Sequence, residues 1–304
     1  MHGSERCFKK FLNAGRFYDA QFLILGGDIT GKTLVPIEQR NGSWRARFGD
    51  HEYSDLTDRE RAKLEQLIRD QGQYPVVGTH EELLELFSEG RRDQTFSEAV
   101  VAGMRHWMEL AEERLDGTDI SCFVTPGNDD FWEIDEAIKS SSTVDFVEGR
   151  CVRIDDRHEM LTTGYSNITP WQSPRELDEE GLAMRLADMF TAVEDPENLI
   201  AVLHCPPYAS ELDQAPMIDS EFRIKTSGGE PVMGPVGSTA VREFIEQHQP
   251  LLGLHGHVHE SKAAQYIGRT LCLNPGSEYT IGLLNCALVT RYEDGTLDHQ
   301  FTSG

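Results

Sequence analysis

The sequence has 304 residues, of which 38% are hydrophobic and 9% aromatic, and this composition excludes a disordered or fibrous protein. The length is sufficient for one large α/β domain or for one domain with an insertion. The net charge of −24 predicts an acidic surface that repels anionic membranes and makes duplex nucleic acid an improbable partner.

The N-terminal elements predict a helix followed by a buried strand. Ser4 is placed to cap a helix that ends near Gly15 and carries the apolar residues Phe8, Phe11 and Leu12. Residues 21–25 then form a short apolar run that leads directly into Gly26-Gly27-Asp28. An aspartate after a strand and two glycines is a candidate metal ligand or an ordinary turn residue, and the position alone favours the turn.

Residues 34–95 have a different pattern, and we interpret them as an insertion. Residues 34–53 alternate around Asn41-Gly42, which is a hairpin signal. Two short helices are expected to follow, each opened by a capping box, Thr57 with Glu60 and Thr79 with Glu82. Because the insertion lies between two candidate metal motifs, we expect it to act as a cap that helps to select the substrate.

The remaining elements alternate between helices and strands, which predicts an α/β layered fold. Three further apolar strands are expected at residues 120–124, 199–203 and 251–254. They are followed by Asn128, by His204 and by the pair His257 and His259, respectively. Open α/β sheets bind ligands at the carboxyl ends of their strands, so we expect these side chains to lie close together.

The pair His257 and His259 is the sharpest local signal for metal binding. Imidazole is the commonest metal ligand, and two histidines two residues apart after a glycine are not easily explained by packing. Each of Asp28, Asn128 and His204 is weak evidence by itself, but four strand ends that all carry nitrogen or oxygen ligands form a much stronger pattern. The mixture of ligands suits Mn, Fe, Zn, Ni or Co. Metal ions would also supply the positive charge that a phosphate ester needs on such an acidic protein.

A competing motif occupies the same region. Residues 26–33 read G-x-x-x-x-G-K-T, the pattern of a phosphate-binding P-loop. That loop requires a helix that begins at the lysine, whereas Lys32 is followed by an extended, proline-containing stretch. Nucleotide binding through Lys32 is therefore the weaker of the two interpretations.

The ordered motifs resemble those of the calcineurin-like metallophosphoesterases, which read D-x-H, G-D, G-N-H-[DE], H and G-H-x-H. In this sequence they read His2-Gly3, Gly27-Asp28, Gly127-Asn128-Asp129-Asp130, His204 and Gly256-His257-Val258-His259. The stretches GYSNITP at 164–170, HCPPY at 204–208, residues 236–261 and NPGS at 274–277 are similar to the Icc-related predicted phosphoesterases. The resemblance covers most of the chain outside residues 34–95.

The resemblance implies a fold of two facing mixed β-sheets flanked by helices, a four-layer α+β arrangement within the α/β class, over residues 1–304. It implies a dinuclear centre in which Asp28 bridges two divalent metal ions. His2 and His259 would bind one ion, and Asn128, His204 and His257 would bind the other. A hydroxide that bridges the metals would then hydrolyse a small phosphate diester or monoester.

Two departures from the family pattern qualify this expectation. The leading aspartate would lie two residues before His2, so we expect an apolar strand that ends in an aspartate upstream of Met1. Asp129 stands where many members carry the histidine that protonates the leaving group, and Asp129 is therefore the candidate catalytic acid. Asn167 and Tyr208 are candidates for binding the substrate. The alternative function is a scaffold or binding module on the same fold that has lost catalysis.

The six cysteines are scattered without C-x-x-C spacing, which predicts reduced thiols, most of them buried. No apolar run approaches the roughly 20 residues that cross a bilayer, and the first fifteen residues do not resemble a signal peptide. We therefore expect a cytoplasmic enzyme that acts without a membrane partner.

Overall fold

The computed structural model describes all residues, 1–304, as a mixed α/β protein with seven helices and several sheets. The helices are α1 (Glu5–Phe17), α2 (Asp58–Asp70), α3 (His80–Leu86), α4 (Arg92–Leu115), α5 (Ile134–Lys139), α6 (Glu179–Phe190) and α7 (Thr239–His248), with short 3₁₀ turns at Pro196–Asn198 and Tyr279–Ile281. None of the helices combines the length and the apolar character needed to span a membrane. The α/β class expected from the sequence is confirmed.

The strands are, in chain order, β1 (Phe22–Leu25), β2 (Leu34–Arg40), β3 (Ser43–Phe48), β4 (His51–Leu56), β5 (Tyr74–Thr79), β6 (Ser121–Val124), β7 (Val144–Phe146), β8 (Arg150–Arg153), β9 (Glu159–Thr163), β10 (Ser166–Asn167), β11 (Glu176–Leu177), β12 (Leu199–Leu203), β13 (Gln214–Pro216), β14 (Thr226–Ser227), β15 (Glu230–Pro231), β16 (Met233–Pro235), β17 (Leu252–Leu254), β18 (Ala263–Ile267), β19 (Thr270–Asn274), β20 (Asn285–Arg291) and β21 (Leu297–Ser303).

Two sheets carry the candidate metal ligands. One has three parallel strands in the order β1-β6-β7, and the other has six strands in the order β18-β19-β17-β12-β9-β8. Within the larger sheet, β9, β12, β17 and β19 are parallel, and antiparallel strands flank them. Phe123 of the smaller sheet belongs to the same buried cluster as Met160 and Val202 of the larger one. The two sheets therefore share an apolar core.

Helix α1 begins as its sequence predicts and packs on the three-stranded sheet. The hydroxyl of Ser4 caps the helix by accepting a hydrogen bond from Cys7 N, and the helix continues to Phe17, two residues beyond the predicted end. Phe8 is fully buried, and its ring stacks on Trp107 of α4 with a centroid distance of 4.3 Å. These helices belong to the largest buried cluster, which includes side chains of β1 and β6. Residues 1–4, including His2, are thereby fixed at the start of a firmly packed helix.

Residues 34–79 form a separate four-stranded sheet in the order β4-β3-β2-β5, with its own buried cluster around Ile37 and Ile68. The hairpin at Asn41-Gly42 is confirmed, with both residues at positive φ. Both capping boxes are also present, at the starts of α2 and α3. Strand β5, which pairs in parallel with β2, was not expected from the sequence. The predicted function of residues 34–95 as a cap stays a prediction.

A cleft with a volume of about 1060 Å³ is lined by residues of β1, β12, β17 and β20, and by four of the candidate metal ligands, Asp28, His204, His257 and His259. All four residues of β1 and all seven of β20 line it. Strand β1 pairs only with β6, and β20 pairs only with β21, so each has one edge without a strand partner. The walls of the cleft therefore combine apolar side chains with open strand edges.

The separate cluster in residues 34–79 makes Ile68→Ala a test of its packing. Ile68 is fully buried, whereas Leu84 on α3 is 62% exposed. We expect Ile68→Ala to lower the free energy of unfolding by about 2–5 kcal/mol, because it removes apolar contacts and leaves a cavity. The control Leu84→Ala should change it by less than about 0.5 kcal/mol. Urea denaturation measures the free energy of unfolding of both variants. Equal effects of the two substitutions would contradict the buried cluster around Ile68.

Candidate metal centre

Five candidate ligands lie in loops at the carboxyl ends of four strands. Asp28 follows β1, Asn128 follows β6, His204 follows β12 directly, and His257 and His259 follow β17. Strands β1 and β6 are parallel neighbours in one sheet, and β12 and β17 are parallel neighbours in the other. Their carboxyl ends therefore meet at one edge of each sheet, which is the usual ligand-binding position in α/β proteins.

His2 joins this cluster from the segment before α1. Its backbone N–H donates to Asp28 O at 2.8 Å, and its ring nitrogen Nε2 lies 3.4 Å from Asp28 Oδ2. The Nε2 atoms of His2 and His259 are 2.9 Å apart. One potential ligand atom from each of these three residues lies within 4.8 Å of the other two. His2, Asp28 and His259 thus form a first group of converging donors.

Asp28 also belongs to a second group of donors. Its Oδ1 lies 3.2 Å from His204 Nε2, and the donors of Asp28, His204 and His257 all lie within 4.8 Å of one another. Asn128 Oδ1 lies 3.2 Å from His204 Nε2 and 3.0 Å from His257 Nδ1. The structure therefore brings together all six residues that the sequence suggested, in two groups that share the Asp28 carboxylate.

One buried atom of this cluster lacks a hydrogen-bond partner, and the cluster fits a bound cation. Asp28 Oδ1 is buried and accepts no hydrogen bond of good geometry, although His204 is close. His204 Nδ1 donates to Gly26 O at 2.8 Å, so the lone pair of a neutral His204 lies on Nε2, which faces Asp28 and Asn128. A buried acceptor without a partner is costly, and imidazole and carboxylate donors suit first-row divalent ions.

The electrostatics of the cluster keep most of its histidines neutral. Burial lowers the pKa of His2 to about 2 and that of His257 to about 4, and it also lowers the pKa of His259. Burial also opposes ionisation of Asp28 and His204, but their mutual attraction outweighs it and shifts the two pKa values apart, Asp28 downward and His204 upward. At neutral pH three imidazoles therefore offer free lone pairs beside an ionised carboxylate.

Three of the candidate ligands occupy left-handed backbone conformations. The φ angles are 47° for His2, 50° for Asp28 and 63° for His257. Such values are uncommon for residues other than glycine and cost free energy that other contacts must offset. Strained residues of this kind concentrate at functional sites, and here they turn the side chains toward one another.

Asp130 holds two of the ligand loops together, a role that sequence reasoning did not identify. Its buried carboxylate accepts hydrogen bonds from Ile29 N, Thr30 N and the Thr30 hydroxyl in the loop of Asp28, and from Gly127 N in the loop of Asn128. The signal in the sequence was its position at the end of the Gly-Asn-Asp-Asp motif. Asp130 thereby fixes the spacing between the two loops.

The remaining candidates lie nearby but have other partners. Asp129 Oδ1 pairs with Lys32 Nζ at 2.7 Å and accepts from the Ser173 hydroxyl at 3.2 Å. The Asn167 amide donates to Val236 O and Gly237 O, and its Oδ1 accepts from the Cys205 thiol. The side chain of Tyr208 is partly exposed. Their catalytic and substrate-binding roles stay predictions.

The P-loop interpretation lacks its required helix. Residues 31–33 are followed by strand β2, and Lys32 pairs with Asp129 instead of facing the N-terminus of a helix. The structure has all six thiols free, and four of them are buried, whereas Cys151 and Cys286 are partly exposed.

Comparison with known proteins identified one curated relative. No family model matches the sequence. An uncharacterized protein of Methanocaldococcus jannaschii is 30% identical over 171 residues, which span 55% of this chain and 68% of the archaeal protein. A solved crystal structure aligns with 80% of this chain and 90% of its own chain, at 17% identity and a TM-score of 0.44. A TM-score of this size does not establish a common fold.

Gly27 is a position at which the geometry of the centre can be tested. A Cβ atom at Gly27 would lie 2.3 Å from His204 Nδ1 and 2.8 Å from Gly127 Cα, and the φ of Gly27 is 120°. We expect Gly27→Ala to displace His204 and to weaken divalent-metal binding roughly tenfold or more. Gly42→Ala is the matched control, because Gly42 also has a positive φ but has open space around its Cα. The control should lose about 1 kcal/mol of stability and bind metal normally. Calorimetric titration with Mn²⁺ measures the affinity of both variants for the metal. Normal binding by Gly27→Ala would contradict the close approach of Gly27 to His204.

Proposed function

We propose that this chain, which belongs to the same family as the uncharacterized protein of Methanocaldococcus jannaschii, is a metal-dependent phosphoesterase. The observation that carries the proposal is the buried Asp28 carboxylate shared between two groups of histidines. A carboxylate in this position can bridge two ions, and paired divalent ions are a recurrent means of hydrolysing phosphate esters. The order of the motifs along the chain, which resembles that of the calcineurin-like metallophosphoesterases, supports the same conclusion.

Each group of donors would hold one ion. His2, His259 and Asp28 would bind the first ion, and Asp28, Asn128, His204 and His257 the second. When bound, two divalent ions would lower the pKa of a shared water and neutralise charge on the phosphate. The donor set suits Mn, Fe, Zn, Ni or Co, and it contains no thiolate.

The chain itself supplies binding and orientation. Three imidazoles are neutral at physiological pH because burial lowers their pKa values, so they are ready to ligate without first losing a proton. His204 Nδ1 donates a hydrogen bond to Gly26 O, which fixes the direction of the His204 ring. The Asp130 carboxylate accepts from Ile29 N and Gly127 N, which fixes the loops that carry Asp28 and Asn128. Preorganised ligands reduce the reorganisation that the reaction would otherwise need.

Polar groups near the ligands would contact a substrate that binds at the metal ions. The Lys32 and Asp129 pair is partly exposed, and Asp129 is adjacent in sequence to Asn128. The ring of Tyr279 lies 4.6 Å from that of His2, as measured between centroids. The role of Asp129 as the acid that protonates the leaving group stays a prediction, and its contact with the Lys32 ammonium at 2.7 Å counts against it, because a carboxylate that accepts from an ammonium has no proton to donate. A small phosphate ester fits such a site, and the acidic protein as a whole disfavours a polyanion such as duplex nucleic acid.

The finer features of the fold belong to the same proposal. The sheet that contains β1 and the sheet that contains β12 would be the two facing sheets of the metallophosphoesterase fold. The segment 34–79 reaches the ligand loops, because Gly31 N donates to the Tyr74 hydroxyl at 3.0 Å. This contact, three residues from Asp28, supports a function of the segment as a cap that influences the choice of substrate.

The test is hydrolysis of bis-p-nitrophenyl phosphate and p-nitrophenyl phosphate with added Mn²⁺. We expect metal-dependent turnover by the unaltered chain and a loss of roughly a hundredfold or more in His257→Ala, because that variant lacks a ligand of the second ion. His299→Ala is the control, since His299 lies on β21 and its ring meets that of Phe301 edge-on, away from the ligand cluster. It should retain turnover. The ratio of diester to monoester rates assigns the substrate class.

Two outcomes would contradict the proposal. Turnover that persists unchanged in His257→Ala would place the activity elsewhere or in a contaminant. Tight Mn²⁺ binding without turnover of either ester would favour the alternative, a binding module on the same fold that has lost catalysis.

A further inference from the structure

The side chain of Asn128 has two chemically different ends, and only one of them can bind a metal ion. Its Oδ1 carries lone pairs, whereas its Nδ2 carries two hydrogens and no lone pair available for ligation. The two ends have almost the same size and shape. Packing alone therefore cannot choose between the two orientations, and the choice requires a hydrogen-bonding partner.

Glu176 is the partner that makes this choice. Asn128 Nδ2 donates to Glu176 Oε1 at 3.2 Å, and on the other side Oδ1 faces His204 and His257. An ionised carboxylate can only accept hydrogen bonds. The end of the amide that faces Glu176 must therefore be the donor, which leaves the oxygen pointing into the donor cluster.

Glu176 is itself held in place by a second residue. The Thr169 hydroxyl donates to Glu176 Oε1 at 2.6 Å, and the Thr169 backbone N–H donates to Oε2 at 3.0 Å. Glu176 begins β11, which pairs in parallel with Ser166 and Asn167 of β10. Both carboxylate oxygens are thus engaged, and the side chain cannot rotate without losing hydrogen bonds.

The backbone also fastens this segment to the loop of Asn128. Arg175 N donates to Asn128 O at 3.0 Å, and the buried Arg175 guanidinium donates to Asp130 O at 3.1 Å. Glu176 therefore approaches Asn128 from a fixed frame. Its distance from the amide is set by main-chain contacts as well as by the side chain itself.

We propose that Glu176 is a positioning residue that orients the Asn128 amide and so sets the affinity of the ion site formed with Asp28, His204 and His257. This inference rests on the dinuclear centre of the proposed function. It gives residues 164–177, which include β10 and β11, a role in metal binding that their sequence does not indicate. Outer partners of metal ligands commonly change affinity roughly 10–100-fold when they are altered.

The variant Glu176→Gln tests orientation with almost no change of shape. To keep the hydrogen bond from Thr169 N, the new amide must place its oxygen where Oε2 stood. Its NH₂ group then faces Asn128 and favours the turned orientation, with Oδ1 toward position 176 and Nδ2 toward the imidazoles. We expect one of two bound Mn²⁺ ions to weaken at least roughly tenfold, while the ion at His2 and His259 stays bound.

A second substitution distinguishes a role of Glu176 in orienting the Asn128 amide from a purely structural role of Glu176. Asn128→Asp presents oxygens at both ends, so it needs no orienting partner. Beside Glu176 it would place two carboxylates about 3 Å apart, which is unfavourable, but beside the glutamine of the double variant it can accept a hydrogen bond. We expect Glu176→Gln combined with Asn128→Asp to bind the second ion more tightly than either single variant. Glu180→Gln, an exposed change on α6, is the control and should bind both ions normally.

Calorimetric titration with Mn²⁺ and electron paramagnetic resonance of the bound ions measure affinity and occupancy without any turnover assay. Normal binding of both ions by Glu176→Gln would overturn the inference. So would a double variant that binds no better than Glu176→Gln. Absence of bound Mn²⁺ in the unaltered chain would instead overturn the dinuclear centre itself, and this inference with it.

Discussion

The buried carboxylate of Asp28 imposes the constraint on which the rest of the site depends. An ionised carboxylate inside a protein must be paired or must bind a cation, because burial without a partner is costly. Asp28 lies against His2 through one oxygen and against His204 through the other. Its backbone is held in a left-handed conformation directly after Gly27, which also has a positive φ. Contacts from other segments of the chain hold this arrangement.

Those contacts come from segments that are far apart in the sequence. The backbone of His2 fixes one side of the Asp28 loop, and the carboxylate of Asp130 fixes the other side by accepting from Ile29 and Thr30. Asp130 in turn holds Gly127, so the loops of Asp28 and Asn128 cannot move independently. A rigid outer shell of this kind keeps ligands at a constant separation before any ion binds. The same contacts explain why strained backbone is tolerated at His2 and Asp28.

Much of the site could be predicted because its signals are local in sequence. Short apolar strands that end in Asp28, Asn128, His204 and His257 indicated one edge of an α/β fold, and the structure brings these side chains together. The Ser4 cap and the two capping boxes could also be predicted from the sequence, since each depends on residues within one helical turn.

The features that were missed depend on long-range contacts. Glu176 is 48 residues from Asn128, and nothing in its local sequence indicates their hydrogen bond. Strand β5 was missed because its partner β2 precedes it by a long connection that includes a hairpin and a helix. Tyr279 approaches His2 from the opposite end of the chain. Such pairings are created by the fold, and a single sequence carries no periodic pattern that reveals them.

The dinuclear centre is tested most directly by a crystal structure of the chain grown with Mn²⁺, with data collected to locate manganese by anomalous scattering. We expect two anomalous peaks that share Asp28 as a ligand. One peak should lie beside His2 and His259, and the other beside Asn128, His204 and His257. Anomalous density away from Asp28, or a centre that binds no manganese at saturating concentration, would contradict the dinuclear centre.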